Sequence, residues 1–133
     1  DGAMKAKVYL GIATMYQKSN KSQARSYAEK ALQARSSYGK ARLFLAGLYG
    51  SNINDAGGDQ FQRRAMYWLA AQEADKAAAI DPSVRAKANS LASQYRAAAP
   101  SKTDIFNHPD GNMSGKQICF GGWISRCVTV PKL

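Results

Sequence analysis

The stretch Ala70-Ala71-Gln72-Glu73-Ala74-Asp75-Lys76-Ala77-Ala78-Ala79-Ile80-Asp81-Pro82 decides the fold. Its alanines at 70, 74 and 77 fall at steps of four and three, which puts them on one helical face. Pro82 follows five residues after the last of them. A stripe without bulk lets two helix backbones approach closely, so this helix is built to cross another at short range. The same spacing occurs earlier, with Ala24, Ala28 and Ala31 and then Ser36 five residues on.

Each of these helices is preceded by an apolar one. Leu10-Gly11 followed by Thr14 aligns with Leu45-Ala46 followed by Tyr49, a shift of 35 residues. Val8, Leu10, Ile12 and Met15 accompany the first, and Leu43, Phe44, Leu45 and Leu48 the second. The second helices are offset by 46, so 11 extra residues lie between Tyr49 and Ala70. The polar, glycine-rich run from Gly50 to Gly58 suits that loop. Asn20 with Gln23, and Asp59 with Gln62, have the spacing of capping boxes at helix starts. Asp81-Pro82 opens a fifth helix, with Asp as N-cap and Pro at the first helical position. Val84, Ala88, Leu91 and Tyr95 give it one apolar stripe. Arg85, Lys87, Asn89, Gln94 and Arg96 leave its outer face polar, as a solenoid cap requires. Pro100 ends it.

This helix–turn–helix pattern resembles the tetratricopeptide repeat (TPR), over residues 5–82. Leu10-Gly11 and Leu45-Ala46 match the family's Leu-Gly step, Tyr49 its tyrosine, and Ala70, Ala74, Ala77 and Pro82 its second helix. Lys7 and Arg42 stand where the family has a leading tryptophan, Thr14 departs from its tyrosine, and alanine replaces the usual second-helix aromatic. The resemblance implies an all-α stack of about five helices wound as a right-handed solenoid. It implies a groove lined by the first helix of each pair, which holds a peptide or partner helix.

From Ser101 the helical period stops. His108-Pro109-Asp110-Gly111-Asn112 is turn chemistry, and Gln117–Phe120 and Val128–Val130 are rich in β-formers. Two short strands are expected as a C-terminal β-hairpin, with its turn at Gly121-Gly122 or after Trp123. A cross-strand disulfide between Cys119 and Cys127 requires a hairpin centred on Trp123; the other reading is two reduced, half-buried thiols. Asp81-Pro82-Ser83, Tyr95, Pro100-Ser101-Lys102, Asp104-Ile105-Phe106, Gly121-Gly122-Trp123-Ile124 and Thr129-Val130 resemble the C-terminal end of TPR proteins common in the Bacteroidetes. Tyr67-Trp68 and Ala70 fit too. That likeness implies a bacterial envelope or periplasmic scaffold, with a cytoplasmic one as the alternative. An exported parent would raise the chance of a disulfide.

At 133 residues the chain has room for one domain or a few stacked repeats. Residues 1–4, Asp-Gly-Ala-Met, read as a cloning remnant, followed by helical repeats with a capping helix (5–99) and an extension (100–133). The first helix shows no capping residue of its own, as in a piece of a longer protein. No membrane-spanning segment and no cofactor motif is legible.

Lysine and arginine outnumber acids 19 to 9, and residues 1–50 hold nine of the cations against Asp1 and Glu29. Such a field suits an acidic protein, a polyanion or an anionic surface; the bland reading is a solvated helical face. His108 is the only histidine and reads as a surface turn residue. Trp68 reads as core, and Trp123 as the anchor of the tail onto the last helices. The carboxylates offer no visible pair. These residues point to no enzyme.

The remaining candidate is the groove. Lys5 and Lys40 lie 35 residues apart, as do Tyr9 and Phe44, and Ile12 and Gly47. At equivalent sites these six would face one groove and suit an acidic peptide or a C-terminal carboxylate. The alternative is two solvated lysines near helix starts. Three functions follow from the residues: a protein-binding scaffold, a nucleic-acid binder working through the basic first repeat, or the structural C-terminal cap of a longer solenoid. Exposed apolar surface at Val8, Ile12 and Met15 would favour the last.

Overall fold

A computed structural model describes residues 1–133. It is mostly helical, with one two-stranded antiparallel sheet. In chain order the helices are α1 (Gly2–Tyr16), α2 (Lys21–Ala34), α3 (Gly39–Gly50), α4 (Gln60–Ile80), α5 (Arg85–Ala98) and α6 (Lys102–Phe106). The strands β1 (Gln117–Phe120) and β2 (Arg126–Thr129) close the chain. Short 3-10 turns at Ile53–Ala56 and Pro82–Val84 lie between α3 and α4 and between α4 and α5.

The helix starts follow from local chemistry. Asn20 accepts from the Gln23 amide at 3.1 Å, and Asp59 from the Gln62 amide at 2.8 Å, each satisfying an amide that the helix leaves unpaired. The first helix does have a cap: Asp1 accepts from the Met4 amide at 2.8 Å, so α1 begins at Gly2. Helical structure also continues past Ser101, contrary to the expectation from periodicity. Ser101 and Asp104 form a reciprocal capping box that stabilises the short α6. A five-residue helix is too short to show a period, which is why the sequence hid it.

Helix α1 packs on α2, α3 on α4 and α4 on α5, with a thinner contact between α2 and α3. The small-residue stripes lie in these crossings: Ala24, Ala28, Ala31, Ala70, Ala74 and Ala77 are all fully buried. The main core joins Leu45 and Tyr49 of α3 to Met66, Trp68 and Leu69 of α4. It takes in Phe120, Ile124, Val128 and Val130 as well, so the hairpin is part of the core.

The 35-residue equivalence of α1 and α3 does not extend to their packing. On α3, Gly39, Leu43, Ala46 and Gly50 face α5 and the turn before it. A β-carbon at Gly39 would stand 2.5 Å from Val84, and one at Gly50 2.5 Å from the Tyr95 ring. Leu43 packs against the cluster of Ala77, Ala78, Val84 and Ala88, and Ala46 shares a cluster with Ala74 and Ala92. The corresponding residues of α1 are Met4, Val8, Gly11 and Met15, and nothing covers them. Met4 is 67%, Val8 57% and Met15 80% exposed. Only glycine-sized residues permit the close approach made on α3; methionine at both ends does not.

Candidate partner-binding cleft

The turn after α1 and the exposed face of α3 enclose a cleft of about 580 Å³. Leu43, Phe44 and Leu48 form its apolar part, while Gln17, Ser51 and Asn52 supply hydrogen-bonding groups. Lys18 and Lys21 stand at its edge. Gly47 also lines it, and a β-carbon there would meet no atom within 4 Å, so the helix backbone lies open to an occupant. Asn52 donates to the Leu48 carbonyl at 2.8 Å, which fixes its side chain at the end of α3.

Lys21 is held in place by an ion pair with Asp55, at 2.6 Å. Asp55 lies in the 3-10 turn that occupies the glycine-rich loop, and it also accepts from the Trp123 indole at 3.0 Å. The Lys21 hydrogen bond, helped by that of Trp123 and by the lysine's charge, holds the Asp55 carboxyl below its ordinary pKa against a smaller desolvation effect. A second depression runs from Lys18 and Lys21 to Asp55 and Trp123, extending the cationic edge. Lys18 makes no ion pair and is fully available to an anionic group.

Of the six residues placed in a groove by spacing, only Phe44 and Gly47 line this cleft. Lys40 is exposed outside it. Tyr9 turns toward α2, where its ring lies 6.2 Å from that of Tyr27. Lys5 is exposed and Ile12 half-buried on the same helix. The cations at the cleft are Lys18 and Lys21, which carry no repeat signal because they sit in a turn and at a helix start.

The hairpin tip closes the neighbouring surface. Strand pairing sets Cys119 opposite Cys127, and the two are joined as a disulfide on the exposed side of the sheet. Residues 121–125 make the turn, in which Gly122 adopts a φ of +60° that side chains disfavour. Trp123 is anchored on α3 rather than on the last helices. Its ring stacks on Tyr49, and Arg25 of α2 donates to the carbonyls of Trp123 and Ile124, at 2.7 and 2.5 Å.

Two further groups depart from the sequence reading. His108 is not a free surface residue: its side chain is only 8% exposed and meets the Phe61 ring edge-on at 4.8 Å. Among the carboxylates, Glu73 is fully buried and takes Arg42 at 3.0 Å, with Lys76 at 3.7 Å. Its position inside the Ala70–Ala74–Ala77 stripe was the available signal. Trp68 is buried beside Phe61.

The chain matches no family model, no curated protein and no solved structure.

Proposed function

We propose that the protein is a non-enzymatic interaction module of the TPR kind, which holds an extended segment of a partner protein in the cleft beside α3. The observation that carries this reading is the joining of an apolar floor at Leu43, Phe44 and Leu48 to cations at Lys18 and Lys21. That combination takes a segment with an apolar side chain next to a carboxylate, either an acidic residue or a chain end. Apolar contact and a charge-assisted hydrogen bond then act together. The exposed disulfide fits an oxidising compartment, and with the likeness to envelope TPR proteins it favours the bacterial envelope over the cytoplasm.

The test is capture from native extract, with nuclease treatment, at low and high salt. Gly47→Leu serves as the control, because Gly47 lines the cleft and a β-carbon there meets no atom within 4 Å, so a larger side chain would take up cleft space. A discrete protein retained at both salts by the natural sequence and lost with Gly47→Leu supports the cleft. Nucleic acid that is released as salt rises would support polyanion binding instead.

A further inference from the structure

We propose that Asp55 sets the charge specificity of the cleft, so that its occupant is a polypeptide segment with one carboxylate beside an apolar residue. A second anionic group next to the first gains nothing. This inference rests on the proposed function of the cleft as a peptide site and names the class of peptide.

The cleft beside α3 and the depression that runs to Trp123 share Lys18 and Lys21. The charged residues lining the two are those lysines and Asp55. Oδ2 of Asp55 accepts from the Lys21 ammonium at 2.6 Å, and the same oxygen accepts the Trp123 indole N–H at 3.0 Å. Trp123 is in turn fixed by its stack on Tyr49 and by Arg25 on its carbonyl. The hairpin tip thus holds the carboxylate from behind and keeps it beside Lys21. Asp55 also remains ionised at neutral pH, because the Lys21 hydrogen bond holds its carboxyl below the ordinary range. It belongs to the stretch between Tyr49 and Ala70 by which the second helical pair exceeds the first.

Two lysines against one aspartate leave a single net positive charge on this surface. Lys18 is the member of the three without a partner, so an incoming carboxylate is matched there. A second carboxylate finds only Lys21. To reach it, that group must displace Asp55 while standing close to its negative charge. A like charge placed against unwanted partners is a specificity device, and here it weighs against segments with adjacent anionic groups. Asparagine is the discriminating substitution. It matches aspartate in size and retains an oxygen for the Trp123 indole, but it releases Lys21.

The experiment uses the whole chain and three blocked peptides of one length. Each carries two adjacent leucines, followed by Gln-Gln, Glu-Gln or Glu-Glu. On the natural chain the first glutamate should raise affinity about fivefold and the second should add less than about 1.5-fold. On Asp55→Asn the second should add about threefold, shrinking at high salt. Asp55→Asn with Lys21→Gln restores the single net charge and should return the natural pattern. A hairpin merely loosened by substitution would weaken all three peptides alike and leave these ratios in place. A ligand-free measurement accompanies them. Under limiting reductive methylation Lys18 should react before Lys21, and Asp55→Asn should narrow the difference.

An equal gain from the second glutamate on both chains would overturn the role of Asp55 and leave the cleft as a peptide site. Equal reactivity of the two lysines on the natural chain would overturn it whether or not a peptide binds. Failure of all three peptides to bind, or binding that Gly47→Leu leaves untouched, would remove the peptide site itself and this specificity with it.

Discussion

The indole of Trp123 lies flat against the ring of Tyr49, with centroids 5.8 Å apart and planes within 10° of parallel. Seventy-odd residues of chain separate the two, so this contact fixes the C-terminal hairpin on the third helix. The Tyr49 hydroxyl is itself buried, which raises its pKa. Trp123→Ala removes the stack and the indole hydrogen bond to Asp55 together. A loss of about 2–4 kcal/mol in urea unfolding is expected for a half-buried tryptophan. Trp123→Phe should recover the stacking part.

Reduction of Cys119–Cys127 should cost stability without releasing the hairpin. The bridge closes a short loop, eight residues apart in sequence, worth about 2–3 kcal/mol in the chain-entropy account. Ile124, Val128 and Val130 remain buried, at about 1.5–3 kcal/mol each, and outweigh it. Unfolding with and without a reductant, or of the Cys119→Ser, Cys127→Ser double variant, measures the difference. Tryptophan emission below the transition should be nearly unchanged.

Glu73 is a buried acid held by Arg42. Removing it alone strands a largely covered guanidinium, so Glu73→Leu should destabilise by about 3 kcal/mol or more. Adding Arg42→Leu removes the stranded charge and should restore most of that loss. A double-variant cycle in denaturant reads the coupling directly.

Alanine substitutions at Gly11 of α1 and Gly39 of α3 should take opposite signs. At Gly11 a β-carbon meets nothing within 4 Å, and Gly11→Ala gains helix propensity of up to about 1 kcal/mol. At Gly39 it would lie 2.5 Å from Val84 and 2.6 Å from the Asp81 Cβ, so Gly39→Ala should cost about 1–3 kcal/mol by displacing the turn before α5. Thermal melts of the two single variants separate the cases.

Acid should weaken the fold from the carboxylate side. The pKa values of Asp55, Asp81 and Asp104 are all lowered, chiefly by hydrogen bonds from Lys21, from the Ser83 side chain and from the Ser101 amide, respectively. The folded state thus binds fewer protons than the unfolded one. Their contribution is full above the unfolded carboxylate value of about 3.9 and is lost as pH falls through the lower folded values. Stability measured from pH 7 downward should stay level with respect to these groups until about pH 4 and then decline. Asp55→Asn should make that decline shallower.

The sequence made the helices legible because their signals are local. The alanine stripes, Asn20 with Gln23 and Asp59 with Gln62 each act within about one turn. The strands were legible for the same reason, through β-forming side chains at Gln117–Phe120 and Val128–Val130, although the second strand runs from Arg126 to Thr129. The cleft was half legible. Phe44 and Gly47 follow from the repeat, but Lys18 and Lys21 reach it only through the geometry of a turn. Arg25 and Trp123 meet across 98 residues, and no periodicity encodes such a pairing. The bare stripe of α1 shows the limit of the repeat itself. Equal spacing does not give equal packing when methionine replaces glycine.

The docking of the hairpin tip on α2 and α3 changes how the molecule must come apart. In a stack whose units touch only their neighbours, the ends fray and a lesion stays where it is made. Here the last strands grip helices from the first half of the chain, so the end is sewn back to the beginning. A nascent polypeptide therefore lacks this clasp until residues 121–125 have been synthesised. Folding should be slower than that of a helical bundle of the same size, and unfolding should proceed in one step.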